Sequence, residues 1–134
     1  MRQALSSLPF SAEAEAGFIA RLLVDPGLIP TLVGTVESSD FHDDTLGRAW
    51  EVMIANAGNA RRFDITVLRS QGIDLGDALS FMQQGQAPAA EYATIIRTDA
   101  VKRRAMLALE AGKRRVRGAA DEAGVYEAVQ EATV

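Results

Sequence analysis

Between Ala89 and Gly118 the chain has no proline, and Gly112 is the one glycine in its interior. A single glycine costs a helix about 1 kcal/mol relative to alanine and does not end it. The pattern therefore predicts one helix of roughly 30 residues, about 45 Å at 1.5 Å per residue, where globular helices average about 11–12 residues. A chain of 134 residues has the size of one domain with a modest core. Half of such a rod must project from that body or find a partner. After a break at 118–124, residues 125–134 read as a returning helix. The fold expected is all-α: a helical globule of about five helices, then a long antiparallel helical hairpin.

The rod has two stripes. Tyr92, Ile95, Ile96 and Ala100 are expected to face the body. Further along, Val101, Ala105, Ala108, Gly112, Val116, Ala119 and Ala123 recur at spacings of three and four, near the coiled-coil period. These residues are small, so backbones can approach closely, yet each buries little area at about 25 cal/mol per Å². Hairpins from two chains, packed as a bundle, bury more than one hairpin alone. Met106, Leu107 and Leu109 lie on other faces, and a helix apolar on several sides expects several neighbours. The expected self-association surface is Val101, Ala105, Ala108, Leu109, Gly112 and Val116, with Val125, Tyr126 and Val129 of the returning helix.

Charge is segregated along the chain. Residues 1–96 hold six basic and twelve acidic groups, residues 97–118 eight and two, and residues 119–134 none and four. The basic helix has three readings. Its cations solvate exposed faces, with Asp99–Arg103 and Glu110–Arg114 spaced as i,i+4 pairs; or they meet acidic surfaces of neighbouring subunits; or they touch DNA phosphates. Lys102, Arg103, Arg104, Lys113, Arg114 and Arg117 are the candidate contacts for a partner or DNA. No aromatic residue lies among them, so base stacking is not offered. The net charge of −4 is unlike a dedicated nucleic-acid binder, which is more often basic overall.

The remainder reads as short helices. Residues 1–10 form a flexible arm. Ser11 is an N-cap, with Glu13 and Glu15 in the first turns of an amphipathic helix over 12–24, broken by Asp25-Pro26-Gly27. A second helix is expected at 28–36, with Leu28, Ile29, Leu32, Val33 and Val36 inward. Phe41 anchors a turn, and a third helix starts at Asp43 or Asp44 and ends at Gly58, with Leu46, Ala49, Trp50, Met53 and Ile54 inward. A polar loop covers 59–62. Asp64 caps a short fourth helix that stops by Gly72, and Asp74 caps a fifth with Leu75, Ala78, Leu79 and Met82 inward. The stretch QQGQAPAA is the longest loop. Three divisions follow: arm 1–10, globular subdomain 11–90, hairpin 91–134.

Nothing in this pattern carries catalysis. There is no phosphate-cradling GxxxxGK[ST] or GxGxxG, and no serine has a designated base. His42, the one histidine, sits in SDFHDD, where the aspartates are explained by helix capping. No metal and no cofactor is expected. There is no cysteine, no secretion signal and no run of about 18 apolar residues, and the chain reads as cytoplasmic.

Four motifs in order carry a resemblance: SAEAEAGFIARLLVD from Ser11, SDFHDDTLGRAWEVM, FDITVL from Phe63, and EYATIIRTDAVKRR from Glu91. Together they resemble the N-terminal domain of DnaB-type replicative DNA helicases, over about residues 8–134. The resemblance implies a non-catalytic collar domain, a globule with a hairpin that pairs between chains. It implies assembly into dimers and a trimer of dimers, and docking of primase or a helicase loader. ATP hydrolysis would belong to a separate RecA-like domain, so the parent protein would be an ATP-dependent DNA helicase. The chain departs from the family pattern at His42, usually Tyr, at QGIDLGDALSFM, which lacks G-G-x-x-Y-L, and at Thr98-Asp99, usually Glu. Because YEAVQEATV stops inside helical pattern, a fragment or a stand-alone relative is expected. The competing readings are the helicase-binding domain of a primase and a small helical DNA-binding regulator.

Overall fold

The computed structural model describes residues 8–76, 87–118 and 129–130, and among them every regular element is helical. The α-helices are α1 (Ala12–Val24), α2 (Ile29–Leu32), α3 (Asp44–Ala55), α4 (Ile65–Ser70) and α5 (Ala89–Gly118), with 3-10 turns at Pro26–Leu28, Ser38–Asp40 and Ala57–Arg62. The all-α expectation holds, and α5 has the length its sequence predicts. Two compact units are present. One runs from Phe10 to Ala100; the other contains Leu8 and Pro9 with α5 from Val101 onward.

Helix α1 begins where Ser11 Oγ accepts the Ala14 N–H at 3.1 Å. Its apolar spacing suggests one buried face, yet every residue from Ala14 to Ala20 is buried. This helix is the centre of its unit. Phe18 meets Trp50 edge-on at 5.0 Å between ring centroids and Phe41 at 5.9 Å. Gly17 lets Tyr92 lie directly on the helix: a Cβ there would stand 2.8 Å from Tyr92 Cζ.

Full burial of α1 includes Glu15, only 2% exposed. Its carboxylate is satisfied by the backbone that leads into α3: Oε2 accepts the His42 N–H at 3.0 Å and Oε1 the Asp43 N–H at 2.9 Å. Asp40, wholly buried, works on the same segment. It accepts the Glu37 N–H at 2.8 Å and the Arg97 guanidinium of α5 at 3.2 Å. Buried polar groups require such partners. Glu15 of α1, and Arg97 of α5 through Asp40, thus hold residues 37–43 from opposite sequence directions.

The second helix is shorter than expected. A 3-10 turn and the four residues of α2 replace a helix over 28–36. The chain leaves at Val33 (φ −59°, ψ 127°) and Gly34 (φ 91°), with the Thr35 N–H on the Leu32 carbonyl at 3.1 Å. This is a type II turn, whose third residue favours glycine. Val33 is therefore 44% exposed rather than inward. Val36 stays buried, and its carbonyl, released from any helix, accepts the Trp50 Nε1–H at 2.8 Å.

Helix α3 starts as expected, with Asp43 accepting the Thr45 and Leu46 N–H groups. It ends at Ala55, before Gly58, because Asn56 turns out of the helix and bonds the Val52 carbonyl through Nδ2 at 2.7 Å. Ile54 is half-buried rather than core. The expected polar loop at 59–62 is the last four residues of the Ala57–Arg62 turn, kinked at Asn59. Asp64 caps α4 by accepting the Thr66 N–H at 2.8 Å and the Thr66 hydroxyl. Leu75 is buried; Ala78, Leu79 and Met82 of the expected fifth helix lie outside the described residues. On α5, Tyr92, Ala93, Ile96 and Ala100 are buried, whereas Ile95 is 39% exposed, so the inward face includes Ala93 and not Ile95.

Glu15→Gln turns an amide donor toward one of two N–H donors. It is expected to cost about 1–3 kcal/mol, the range for leaving a buried polar group unsatisfied, read as a lower urea midpoint at unchanged m. Gly17→Ala is expected to destabilise despite better helix propensity, since overpacking costs about 1–3 kcal/mol against a gain of at most about 1 kcal/mol. The Asp64 carboxyl is held below its ordinary value, first by the Thr66 hydroxyl and then by the Thr66 N–H. A carboxyl lowered on folding stabilises above its unfolded pKa, and that contribution fades as pH falls through the folded value. Asp64→Asn should therefore remove a small part of the acid sensitivity of the melting temperature.

Candidate interaction surface on the long helix

From residue 101 onward α5 presents a graded surface. Val101 (51% exposed), Ala105 and Ala108 share one stripe, and Leu109 (52% exposed) borders it. Gly112, next on the stripe, is buried, and Val116 is half-buried. The small-residue stripe is thus open over its first two turns and covered beyond them. At 100° per residue, Arg103, Met106 and Glu110 lie on the opposite side, and all three are half-buried. Leu107, 46% exposed, belongs to neither face.

The cations surround this apolar strip. Lys102, Arg104, Lys113, Arg114 and Arg117 are exposed, as is Arg115, which the sequence reading did not single out. By helical angle, Lys102 and Lys113 flank the stripe on one side, Arg104 and Arg115 on the other. Arg103 is different, since its Nη1 donates to the Pro9 carbonyl at 2.8 Å. Glu110 pairs with Lys113 at 3.5 Å. Part of the basic character is intrinsic to the helix: Glu91 lies in its first turn, and Arg115 and Arg117 in its last, as the helix dipole favours. Val129 is helical and 50% exposed, while Val125 and Tyr126 lie outside the described residues.

The motif residues occupy other positions. Ser11, Glu15, Asp40, Phe41, Asp64, Tyr92 and Arg97 are caps, core or the partners of the two buried carboxylates. They build the globular unit rather than a reactive centre. In the sequence Glu15 reads as a first-turn residue and Asp40 as part of a turn, and nothing near either marks it as buried. The local signal was absent because their partners lie 27 and 57 residues away.

His42 stacks on Phe10, with ring centroids 4.0 Å apart and planes 9° from parallel. Among the described residues, no group of three or more His, Cys, Asp or Glu is placed to hold a metal ion. None of the helices searched there is long and apolar enough to cross a membrane.

Comparison with protein families gives a match to the DnaB-like helicase N terminal domain over residues 7–98. The match stops one residue after Arg97, so it covers the four short helices and the first turns of α5, a shorter span than the resemblance suggested. Comparisons with curated proteins and with solved structures give no match. The matched span exceeds half of the chain and contains both carboxylate clamps; the chain belongs to the family of DnaB-like helicase N-terminal domains.

Proposed function

We propose that this chain is the non-catalytic collar domain of a replicative DNA helicase. It joins copies of itself, as dimers and a trimer of dimers, and docks primase or a helicase loader in the cytoplasm. The family match supports the helicase part of this reading. The observation that carries the assembly part is the open strip on α5, where Val101 and Leu109 are each about half exposed beside Ala105 and Ala108. Large exposed side chains next to small ones suit helix pairing, because the small positions admit a neighbouring backbone and the large ones fill its grooves. The flanking cations set which partner surface is tolerated. DNA contact is weak or indirect on this reading, and ATP hydrolysis belongs to another domain of the parent helicase. The family match favours this over a primase domain or a DNA-binding regulator.

Sedimentation velocity over a concentration series tests the assembly. The wild-type chain is expected to associate, and Ala108→Glu, which puts a charge on the strip, is expected to leave a monomer with unchanged far-ultraviolet dichroism. A wild-type chain that stays monomeric at high concentration would sink the assembly role; an Ala108→Glu variant that associates normally would move it to another face.

A further inference from the structure

A helix start is often secured by a hydrophobic staple, in which the residue before the N-cap packs on the fourth residue of the helix. In α1 the residue before the N-cap is Phe10, but the fourth helical residue is Glu15, which is buried and has no apolar face to offer. Phe10 instead lies flat on the His42 ring at 4.0 Å. His42 is in turn held by its backbone N–H to Glu15 Oε2 at 3.0 Å. The same helical position is reached, through one intermediate residue.

We propose that Phe10, His42 and Glu15 form a relayed staple, a latch that fixes where the chain enters α1. The stack is the weak member. Phe10 is 46% exposed and His42 is exposed, whereas the Glu15 bonds are sheltered. The latch therefore opens at the ring contact while the carboxylate bonds persist. An aromatic ring at position 42 is what the device requires, and imidazole meets that requirement.

Two measurements on the full chain test this: proton NMR of the His42 ring, and amide hydrogen exchange at residues 14, 15, 42 and 43. Phe10→Ala is expected to move the His42 ring protons downfield, since the ring current above them is lost. It should also speed exchange at Ala14 and Glu15 by about two- to tenfold, the factor matching an aromatic pair, with Trp50 and Met53 unchanged. His42→Ala should reproduce the faster exchange and His42→Tyr should restore slow exchange. Identical His42 ring shifts in wild type and Phe10→Ala would overturn the stack. Shifted rings with unchanged exchange at Ala14 and Glu15 would overturn its role as a latch, as would a His42→Tyr variant as fast as His42→Ala.

Discussion

The globular unit depends on a buried carboxylate whose two oxygens are both bonded. Glu15 lies in the run of α1 that is enclosed on all sides, and an unpaired charge there would cost several kcal/mol. The backbone at His42 and Asp43 removes that cost by donating two N–H groups. The same bonds place Asp43 where its own side chain can cap α3. One carboxyl side chain thus helps determine where the next long helix begins, and that helix carries Trp50 against Phe18. Asp40 extends the arrangement to α5 through Arg97. Helix α1, the start of α3 and the start of α5 are joined by polar contacts whose geometry is more specific than apolar packing, which tolerates many arrangements of similar volume.

What was legible in the sequence was whatever depends on near neighbours. Ser11, Asp43 and Asp64 were readable as caps because a cap and the N–H it accepts lie two or three residues apart. The extent of α5 was readable because only proline and glycine can break a helix so strongly. The second helix was misread because Val33 and Val36 fit a helical stripe, while the decisive signal was Gly34, which takes a positive φ and turns the chain. The burial of Glu15 and Asp40 was not readable. An acidic residue in a first turn is ordinarily a surface group favoured by the dipole, and only the fold reveals that these two face inward. Ile95 differs for a geometric reason: at 100° per residue it lies about 115° from the middle of the face formed by Ala89, Tyr92, Ala93, Ile96 and Ala100.

The candidate surface was partly legible. Its positions on α5 could be read from periodicity, since Val101, Ala105 and Ala108 repeat at helical spacing. Their exposure could not, because the same stripe is open at Ala108 and covered at Gly112. The basic residues are similar. Their number is plain in the sequence, but Arg103 turns out to hold the Pro9 carbonyl, a bond across 94 residues that no local pattern announces. The motifs of the family resemblance lie mostly on the carboxylate clamps and the core, and although the resemblance is drawn to residue 134, the family match ends at residue 98 and reaches only the first turns of α5.

Size limits what the open strip can do by itself. The open part of the stripe, from Val101 to Leu109, spans about 14 Å, and a helix face roughly 12 Å wide gives on the order of 150–200 Å² per copy. A stable interface buries about 800 Å² on each partner, and association costs at least about 4 kcal/mol in lost freedom. Val101 and Leu109 contribute about 1.5–3 kcal/mol each when fully covered, and half of each is already covered. Two such strips in contact therefore make a weak pair. A lasting assembly needs a second contact, supplied by the flanking cations against acidic groups, by the segment that includes Val129, or by closure of a ring in which every copy is held from both sides. Ring closure would have a particular advantage for the proposed collar: contacts too weak to hold two copies become sufficient when the circle closes, because the closing subunit gains two interfaces for one loss of freedom.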